Sequence, residues 1–182
     1  MHIHTQRLRL DALSHKDAEA LFRYRGDPAV SAYQGWCPAS VNEALGFIDA
    51  QQGMTLDMPG TWFQRAIRRG DSGELVGDLG LHFLAGDDAT VELGISLAPS
   101  HQGQGLAAEA LQAVLGFVFG DLQKHRVIGS VDPRNQACMK LLESIGMRKE
   151  AHFRESYRSG DTWVDDVIFA MLEREWLTRE SL

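Results

Sequence analysis

Residues 99–111 constrain the fold more than any other stretch of this chain, because they pass from the end of an apolar run through a glycine-rich loop into an alanine-rich helix pattern. The loop contains Gly103 and Gly105, which let the backbone approach a ligand closely. The helix that follows presents its first unpaired N–H groups, and the positive end of its dipole, to the same point. This arrangement predicts a phosphate-binding loop, so a diphosphate-bearing cofactor is the first hypothesis.

The glycine loop alone is compatible with a dinucleotide, with another diphosphate-bearing cofactor, or with a plain structural turn that binds no ligand. Gly103, Gly105 and Ala108 fit the dinucleotide fingerprint, and Asp132 follows at a distance suitable for a ribose contact. In a dinucleotide fold, however, the first glycine directly ends a strand within a run of βαβ units. Here residues 98–102 intervene and the preceding segments have a hairpin pattern, which counts against a nicotinamide-dependent enzyme.

The composition narrows the functional class. The chain has 182 residues, 44% of them hydrophobic and 24% charged, which predicts one globular domain over residues 1–182. Its net charge of -7 offers no broad basic face for nucleic acid and suits a cationic or neutral acceptor. No apolar run is long enough for a membrane span, and residues 1–7 lack a signal-peptide core, so a cytoplasmic location is expected. Cys37 and Cys138 are far apart and predict neither a disulfide framework nor a metal site.

The hydrophobic periodicity predicts an α+β fold around a mixed sheet, since the order of elements is neither all-β nor a regular alternation. Four helices are expected. The first runs from Ser14 to about residue 25, and the second begins at a capping box formed by Ser40 and Glu43; the other two span residues 103–119 and 135–145. Strands are expected at seven places: residues 5–13, 62–68, 75–84, 90–97, 127–131, 148–157 and 163–172.

The residues of the glycine loop resemble those of a known family. Gln102-Gly103-Gln104-Gly105-Leu106-Ala107 is similar to the Q/R-x-x-G-x-G/A motif of the GCN5-related N-acetyltransferases (GNAT). Further segments look like the branch that contains the ribosomal-protein N-terminal acetyltransferases, and they follow in the right order over nearly all of the chain: Thr5-x-Arg7-Leu8-x-Leu10, Asp27-Pro28, Val91-Glu92-Leu93-Gly94, Asn135-x-x-Cys138 and Leu141-Leu142-Glu143-x-Ile145-Gly146-Met147.

The resemblance implies a three-layer fold, with a mixed and largely antiparallel central sheet of about seven strands flanked by about four helices. It also implies acetyl-CoA as cosubstrate, without a metal, and an N-acetyltransferase activity. Proteins similar in this way often form homodimers, so a homodimer is one expectation. The residues expected to contact the cofactor are Ser96, Leu97, Ala98, Gln102, Gly103, Gln104, Gly105, Leu106, Ala107, Asn135 and Cys138. Within that set, a backbone N–H near Ser96 or Leu97 would face the thioester carbonyl, and the Leu97 and Ala98 backbone would pair with the pantetheine amides.

Glu92 is the candidate general base. In a strand, Glu92, Gly94 and Ser96 share one face, so the carboxylate would lie above small residues with space beside it for an acetyl group. An ammonium acceptor must lose a proton before it attacks a thioester, and a carboxylate can take that proton directly or through water. The alternative is a solvated glutamate on an exposed strand face. The family's glutamate on the strand before the loop matches Glu92.

Asn135 and Cys138 lie three apart at a helix start, so both can face one groove. Asn135 is either a helix cap or a ligand contact, and these roles are compatible. In the related branch the position of Cys138 is usually serine, which can assist the leaving thiolate; Cys138 either donates weakly to that sulfur or is a small buried residue. Many family members have a tyrosine four residues further on, where this chain has Leu142.

The acceptor pocket is the least determined part of the site. Tyr33, Trp36 and Trp62 are candidates for its walls. Other residues are candidates for contacts with a cationic amine or for the border of the opening: Asp27, Asp57, Asp87, Tyr157, Asp165 and Asp166. The acceptor is a protein N-terminal α-amine or a small primary amine, with a lean to the former by resemblance. A CoA-binding regulatory module without turnover is the non-enzyme alternative.

Overall fold

The computed structural model describes residues 1–179 as an eight-stranded sheet with helices packed on it. The strands are β1 (Ile3–His4), β2 (Leu8–Asp11), β3 (Thr61–Arg69), β4 (Leu75–Phe83), β5 (Thr90–Leu97), β6 (Arg126–Val131), β7 (Arg148–Ser159) and β8 (Thr162–Leu172). The helices are α1 (Ala18–Arg25), α2 (Pro28–Ser31), α3 (Val41–Gln52), α4 (Leu106–Gly116), α5 (Gln136–Ser144) and α6 (Glu173–Arg179).

The strand order is β1-β2-β3-β4-β5-β6-β8-β7. Every neighbouring pair is antiparallel except β5 and β6, which run parallel. The predicted α+β class, with a mixed and largely antiparallel sheet, is therefore confirmed. The counts differ from the prediction, since the described residues form eight strands rather than about seven and six α-helices rather than about four.

The additional strand lies at the start of the chain, where a single strand over residues 5–13 is wrong. The Thr5 N–H donates to the Leu8 carbonyl over 2.9 Å, and the Leu8 N–H donates to Thr5 Oγ1 over 3.0 Å. These two bonds close a turn that divides β1 from β2. Residues 5–7 are all polar, and the alternation begins only at Arg7, so the predicted strand began too early.

The additional helices are short. In α2, Asp27 accepts a hydrogen bond from the Ala29 N–H over 2.8 Å, and Pro28 occupies the first helical position. These are ordinary helix-start signals, but the single turn that follows is too short for a periodic pattern. The predicted start of α4 at residue 103 is also wrong, because Gly103 and Gly105 have φ of 72° and 75° and the helix begins at Leu106.

Two apolar clusters cover the sheet. The larger one packs α4 and α5 on the sheet through residues such as Leu111 and Leu142, and the smaller one packs α1 and α3 through Leu21 and Ile48. Ser40 caps α3 as predicted, accepting a hydrogen bond from the Glu43 N–H over 3.2 Å. Across residues 1–179, none of the helices has the length and apolar character that a membrane crossing requires.

Candidate active site

The site begins where the parallel strands β5 and β6 separate. They pair at three positions, the last of which joins Glu92 to Ile128, although β5 continues to Leu97 and β6 to Val131. A cavity of about 420 Å³ lies at this separation, with residues 93–95 on one side and residues 129–131 on the other. The unpaired edges of two central strands therefore face a cavity instead of each other.

The alternation of the β4–β5 ladder determines which backbone groups of β5 face that gap. The Ala98 N–H donates to the Val76 carbonyl over 2.9 Å, so Ser96, two residues earlier, has its backbone groups toward β4 as well. Leu97 therefore faces the gap, and its carbonyl accepts a hydrogen bond from Gln102 Nε2 over 3.0 Å. Of the two N–H groups predicted to face the thioester carbonyl, that of Leu97 is directed toward the gap and that of Ser96 toward β4. The Ala98 N–H, predicted to pair with a pantetheine amide, is already bonded to Val76.

The glycine loop follows β5 after Ala98 and a short 3-10 turn over Pro99–His101, and it is exposed from residue 102 to residue 105. Gly105 adopts the left-handed conformation that caps α4, so the first N–H groups of the helix are directed into the loop. A Cβ added to Gly103 would meet no atom within 4 Å, so its positive φ, rather than crowding, requires glycine there. Gln104 Nε2 donates to the Ser100 carbonyl over 2.9 Å, which holds the loop closed on itself.

Arg7 is a loop residue to which the sequence analysis gave no role. Its Nη1 donates to the Gln104 carbonyl over 2.9 Å, while its Nε donates to Glu109 Oε2 over 2.6 Å. Burial alone would raise the pKa of Glu109, but hydrogen bonds from Thr5 and Arg7 outweigh burial and lower that pKa. A guanidinium thus lies beside the predicted phosphate site, 3.5 Å from a Cβ added to Gly105. Arg7 belongs to the motif quoted for the family, which was the available signal.

Glu92 lies in a row of three side chains that crosses three strands. Trp62 on β3 pairs with His82 on β4, and His82 pairs with Glu92 on β5. His82 Nδ1 lies 3.0 Å from Glu92 Oε2, and because a carboxylate can only accept, the imidazole is the donor. The Trp62 and His82 rings stack at 4.7 Å with 10° between their planes. The Glu92 side chain is 22% exposed, which contradicts the alternative of a solvated surface glutamate.

Trp62 covers part of the space predicted beside Glu92. A Cβ on Gly94 would lie 3.3 Å from the indole of Trp62, and a Cβ on Gly80 would lie 2.7 Å from the same indole. Glu92 and Gly94 both line the cavity, so space does lie beside the carboxylate. Trp62 thus lies over Gly80 on the neighbouring strand and over Gly94 two strands away, and it narrows that space from one side.

Asn135 and Cys138 both line the cavity from the start of α5. Asn135 Oδ1 accepts a hydrogen bond from the Cys138 N–H over 3.1 Å, so the cap role of Asn135 is present. Burial raises the pKa of the Cys138 thiol to about 11. At neutral pH this cysteine is a protonated, weak donor rather than a nucleophile. Leu142, four residues after Cys138, is buried under Gly129 and supplies no acid.

The three predicted wall residues, Tyr33, Trp36 and Trp62, all line the same cavity. Trp36 stacks on Phe47 with ring centroids 4.4 Å apart and 17° between the planes. Phe47 was not predicted, because its position on α3 gave only a helix-face signal.

The segment that carries Tyr33 and Trp36 is held by a buried ion pair. Arg25 on α1 donates to both carboxylate oxygens of Asp78 on β4, over 3.0 and 2.5 Å, and to Gln34 Oε1 over 3.1 Å. Tyr24 also donates to Asp78, over 2.6 Å. Burial alone would lower the pKa of Arg25, but the Asp78 carboxylate outweighs it and raises that pKa.

The aspartates predicted to contact a cationic amine lie elsewhere. Asp27 caps α2, Asp57 pairs with Lys124 over 2.6 Å, and Asp87 accepts the N–H groups of residues 89 and 90. None of the three lines the cavity. Asp166, predicted at the opening, accepts a hydrogen bond from Ser130 Oγ over 2.7 Å; Ser130 lines the cavity and Asp166 does not.

The other two residues predicted at the opening are also accounted for. Asp165 bonds His152 over 2.7 Å, and Tyr157 is 55% exposed. Neither residue is among those that line the cavity.

Comparison with known proteins gives one matching family over most of the chain. Residues 7–148 match the acetyltransferase (GNAT) domain family. The protein named uncharacterized N-acetyltransferase YnaD, from Bacillus subtilis (strain 168), is 31% identical over 176 residues, which cover 97% of this chain and 99% of that protein.

Two further comparisons agree with this match. The ribosomal protein uS5-alanine N-acetyltransferase of Escherichia coli (strain K12) is 30% identical over 84 residues, covering 46% of this chain and 43% of that enzyme. The crystal structure of an acetyltransferase of the GNAT family from Bacillus anthracis superposes with a TM-score of 0.87 at 28% identity, covering 96% of this chain and 100% of that one.

Proposed function

The chain belongs to the acetyltransferase (GNAT) family and is an acyltransferase, and from this premise we propose that it transfers an acetyl group from acetyl-CoA to a primary amine, by direct attack in a ternary complex. One observation carries the proposal: Glu92 lies at the point where β5 and β6 separate. A carboxylate and unpaired strand N–H groups meet one cavity there, and the glycine loop follows β5 after residues 98–101.

Residues 102–107 and the start of α4 fit the diphosphate of acetyl-CoA. They combine an exposed loop, two glycines with positive φ and the Arg7 guanidinium, which together favour an anion. The unpaired edge of β5 fits the amide-bearing arm, because its backbone groups have no strand partner there. In this assignment Gln102 and Gln104 act mainly through the shape of the loop, since their side chains bond the Leu97 and Ser100 carbonyls.

Glu92 is the base in the proposed reaction. His82 holds Oε2 of the carboxylate, which leaves Oε1 to take a proton from the ammonium group directly or through one water. The amine nitrogen then forms a bond to the acetyl carbonyl carbon, and the bond from that carbon to sulfur breaks. The Leu97 N–H, which faces the gap beyond the residues that line the cavity, is the predicted donor for the charge that develops on the carbonyl oxygen.

Cys138 is the candidate proton donor to the leaving sulfur. Its raised pKa keeps the thiol protonated at neutral pH, and it lies on the wall opposite β5. A CoA thiolate is also a tolerable leaving group without a strong acid, so replacement of Cys138 should slow the reaction without abolishing it.

The acceptor is a protein N-terminal α-amine or a small primary amine. The main alternative, a regulatory module that binds CoA without turnover, predicts cofactor binding with no CoA release across a broad amine panel. A functional general base gives the opposite expectation, namely CoA release that depends on Glu92.

The first experiment is a calorimetric titration of the purified protein with acetyl-CoA, with NADH as the comparison ligand. Binding of acetyl-CoA without an NADH signal supports the proposed cofactor and justifies an acceptor screen by CoA release. Folded protein that fails to bind acetyl-CoA would overturn the proposal. Binding without release from any amine would favour the regulatory module.

A further inference from the structure

The floor of the cavity consists of two adjacent rows of residues across β3, β4 and β5. One row is Trp62, His82 and Glu92, and the next is Gln64, Gly80 and Gly94. Because Gly80 has no side chain, the Gln64 amide lies across the sheet, with its Nε2 2.8 Å from the position of an added Cβ on Gly80. The amide is therefore held on the same floor as Glu92, one row away.

The Gln64 side chain has an unused acceptor in this position. Its Oε1 atom is buried and accepts no hydrogen bond within residues 1–179. A buried acceptor without a partner destabilises a fold, and Gln64 is itself part of the cavity lining, so a turn of its amide would let Oε1 receive a donor from the molecule that fills the cavity. The backbone of Gln64 makes other polar contacts: its N–H donates to Gln51 Oε1 over 2.9 Å, and its carbonyl accepts a hydrogen bond from Arg65 Nη1 over 2.9 Å.

The charges of the cavity lining are almost fully compensated. Arg25 is paired with Asp78, and Asp132 accepts three hydrogen bonds from the Arg134 guanidinium. Among the charged residues that line the cavity, Glu92 is the one without an arginine or lysine partner in the described part of the chain. Asp166 is not part of the lining, although it accepts a hydrogen bond from Ser130, which is. The cavity therefore offers a carboxylate for one positive charge and none in its lining for a second.

The rest of the lining is suited to an uncharged substituent. Four aromatic side chains face the cavity, from the segment before α3, from α3 itself and from β3: Tyr33, Trp36, Phe47 and Trp62. Aromatic faces favour apolar or flat groups and also attract a cation near them.

We propose that the acceptor is a primary amine with a single positive charge and an uncharged, apolar or aromatic body. Glu92 takes one proton from its nitrogen, and Gln64 Oε1, presented to the cavity by a turn of its amide, accepts a second N–H of the same nitrogen. This inference rests on the proposed N-acetyltransferase function, whose acceptor class it specifies. Diamines and polyamines are disfavoured, because their second cation would enter an aromatic region without a carboxylate.

The test compares 2-phenylethylamine with 1,4-diaminobutane as acceptors, measured as kcat/KM for CoA release. The wild-type protein should prefer the monoamine by about tenfold or more, because the second cation of the diamine would be desolvated in the lining without a carboxylate partner. Gln64→Met, similar in size but without the amide, should raise KM for the monoamine about tenfold with intact acetyl-CoA affinity. Gln64→Glu should shift the preference toward the diamine by about tenfold, since it adds a second carboxylate to the floor. Gln52→Glu, which adds the same charge on an exposed position of α3, is the matched control.

A wild-type preference for the diamine, or a preference that Gln64→Glu leaves unchanged, would overturn the inference. A second measurement, calorimetric binding of both amines to the CoA-saturated protein, distinguishes failure of the acceptor class from failure of the proposed transferase function. Monoamine binding that Gln64→Met weakens, without any CoA release, would support the acceptor class while the transferase proposal fails. Binding of neither amine, or of the diamine alone, would contradict the acceptor class.

Discussion

Replacement of Arg25 by methionine should destabilise the fold strongly, because it leaves a buried carboxylate without its counter-ion. The Asp78 side chain is 0% exposed and the Arg25 side chain 8% exposed, and the two share two hydrogen bonds. Removal of one partner of such a buried pair costs about 3–5 kcal/mol. In a chain of this length each kcal/mol lowers Tm by about 2–4 °C, so a decrease of about 6–20 °C is expected.

The matched control lies on the same helix. Arg23 is 74% exposed and pairs with Glu19, which is 78% exposed, so Arg23→Met should change Tm by less than about 2 °C. Arginine and methionine have similar helix propensities, so the difference between the two variants reports the buried pair. Thermal unfolding followed by circular dichroism is the assay. The double variant Arg25→Met with Asp78→Asn should recover part of the loss, because the buried charge is then removed.

Equal Tm values for Arg25→Met and Arg23→Met would refute the reasoning. The same variant should also raise KM for the amine acceptor, since Arg25 holds the segment of Gln34 and Trp36 against the sheet. Its acetyl-CoA affinity should change little, because the glycine loop is anchored by Arg7 on the other side of the cavity. A loss confined to acetyl-CoA binding would show that this ion pair does not position the acceptor wall.

Three further predictions concern individual residues of the site. Glu92→Gln should preserve acetyl-CoA affinity but lower kcat by about 10²-fold or more, most strongly at low pH where free amine is scarce; unchanged kinetics would remove Glu92 from the mechanism. Gly105→Glu should abolish acetyl-CoA binding in calorimetry, since φ there is 75° and a negative charge would enter the anion site, whereas Gly120→Glu, exposed and at ordinary φ, should bind normally. Alkylation of Cys138 should be slow at pH 7 and accelerate as the pH rises toward about 11, where the thiolate forms; rapid labelling at pH 7, located by mass spectrometry, would contradict the raised pKa.

The elements with long periodic patterns were predictable because their signals are local. The glycine loop, the cap of α3 and the strand of Glu92 follow from residue types at fixed spacing, and the structure contains each of them. The neighbours of Glu92 were not predictable in this way. A β-bulge between Ile67 and Arg68 shifts the register of β3 on β4, from a pairing of Arg68 with Leu75 to a pairing of Ile67 with Gly77. If the pairing of Arg68 with Leu75 next to the turn continued along β3 without the bulge, Trp62 would lie opposite Leu81 instead of His82, on the wrong face.

The same limit explains why the cover that Trp62 forms over Gly94, and the position of Gln64, were not predicted. A strand pattern shows that Gly94 leaves room on one face, but it does not show which side chain from β3 fills that room. Trp62 reaches across two strands to do so, and the Gln64 amide follows it onto Gly80. The gap between β5 and β6 is likewise a tertiary feature. Leu142 of α5 packs against Gly129 of β6, 3.1 Å from the position of an added Cβ, and Gly129 directly follows the last residue of β6 that pairs with β5. The chemistry at Glu92 therefore depends on where strand pairing stops, and that point is set by packing between elements distant in sequence.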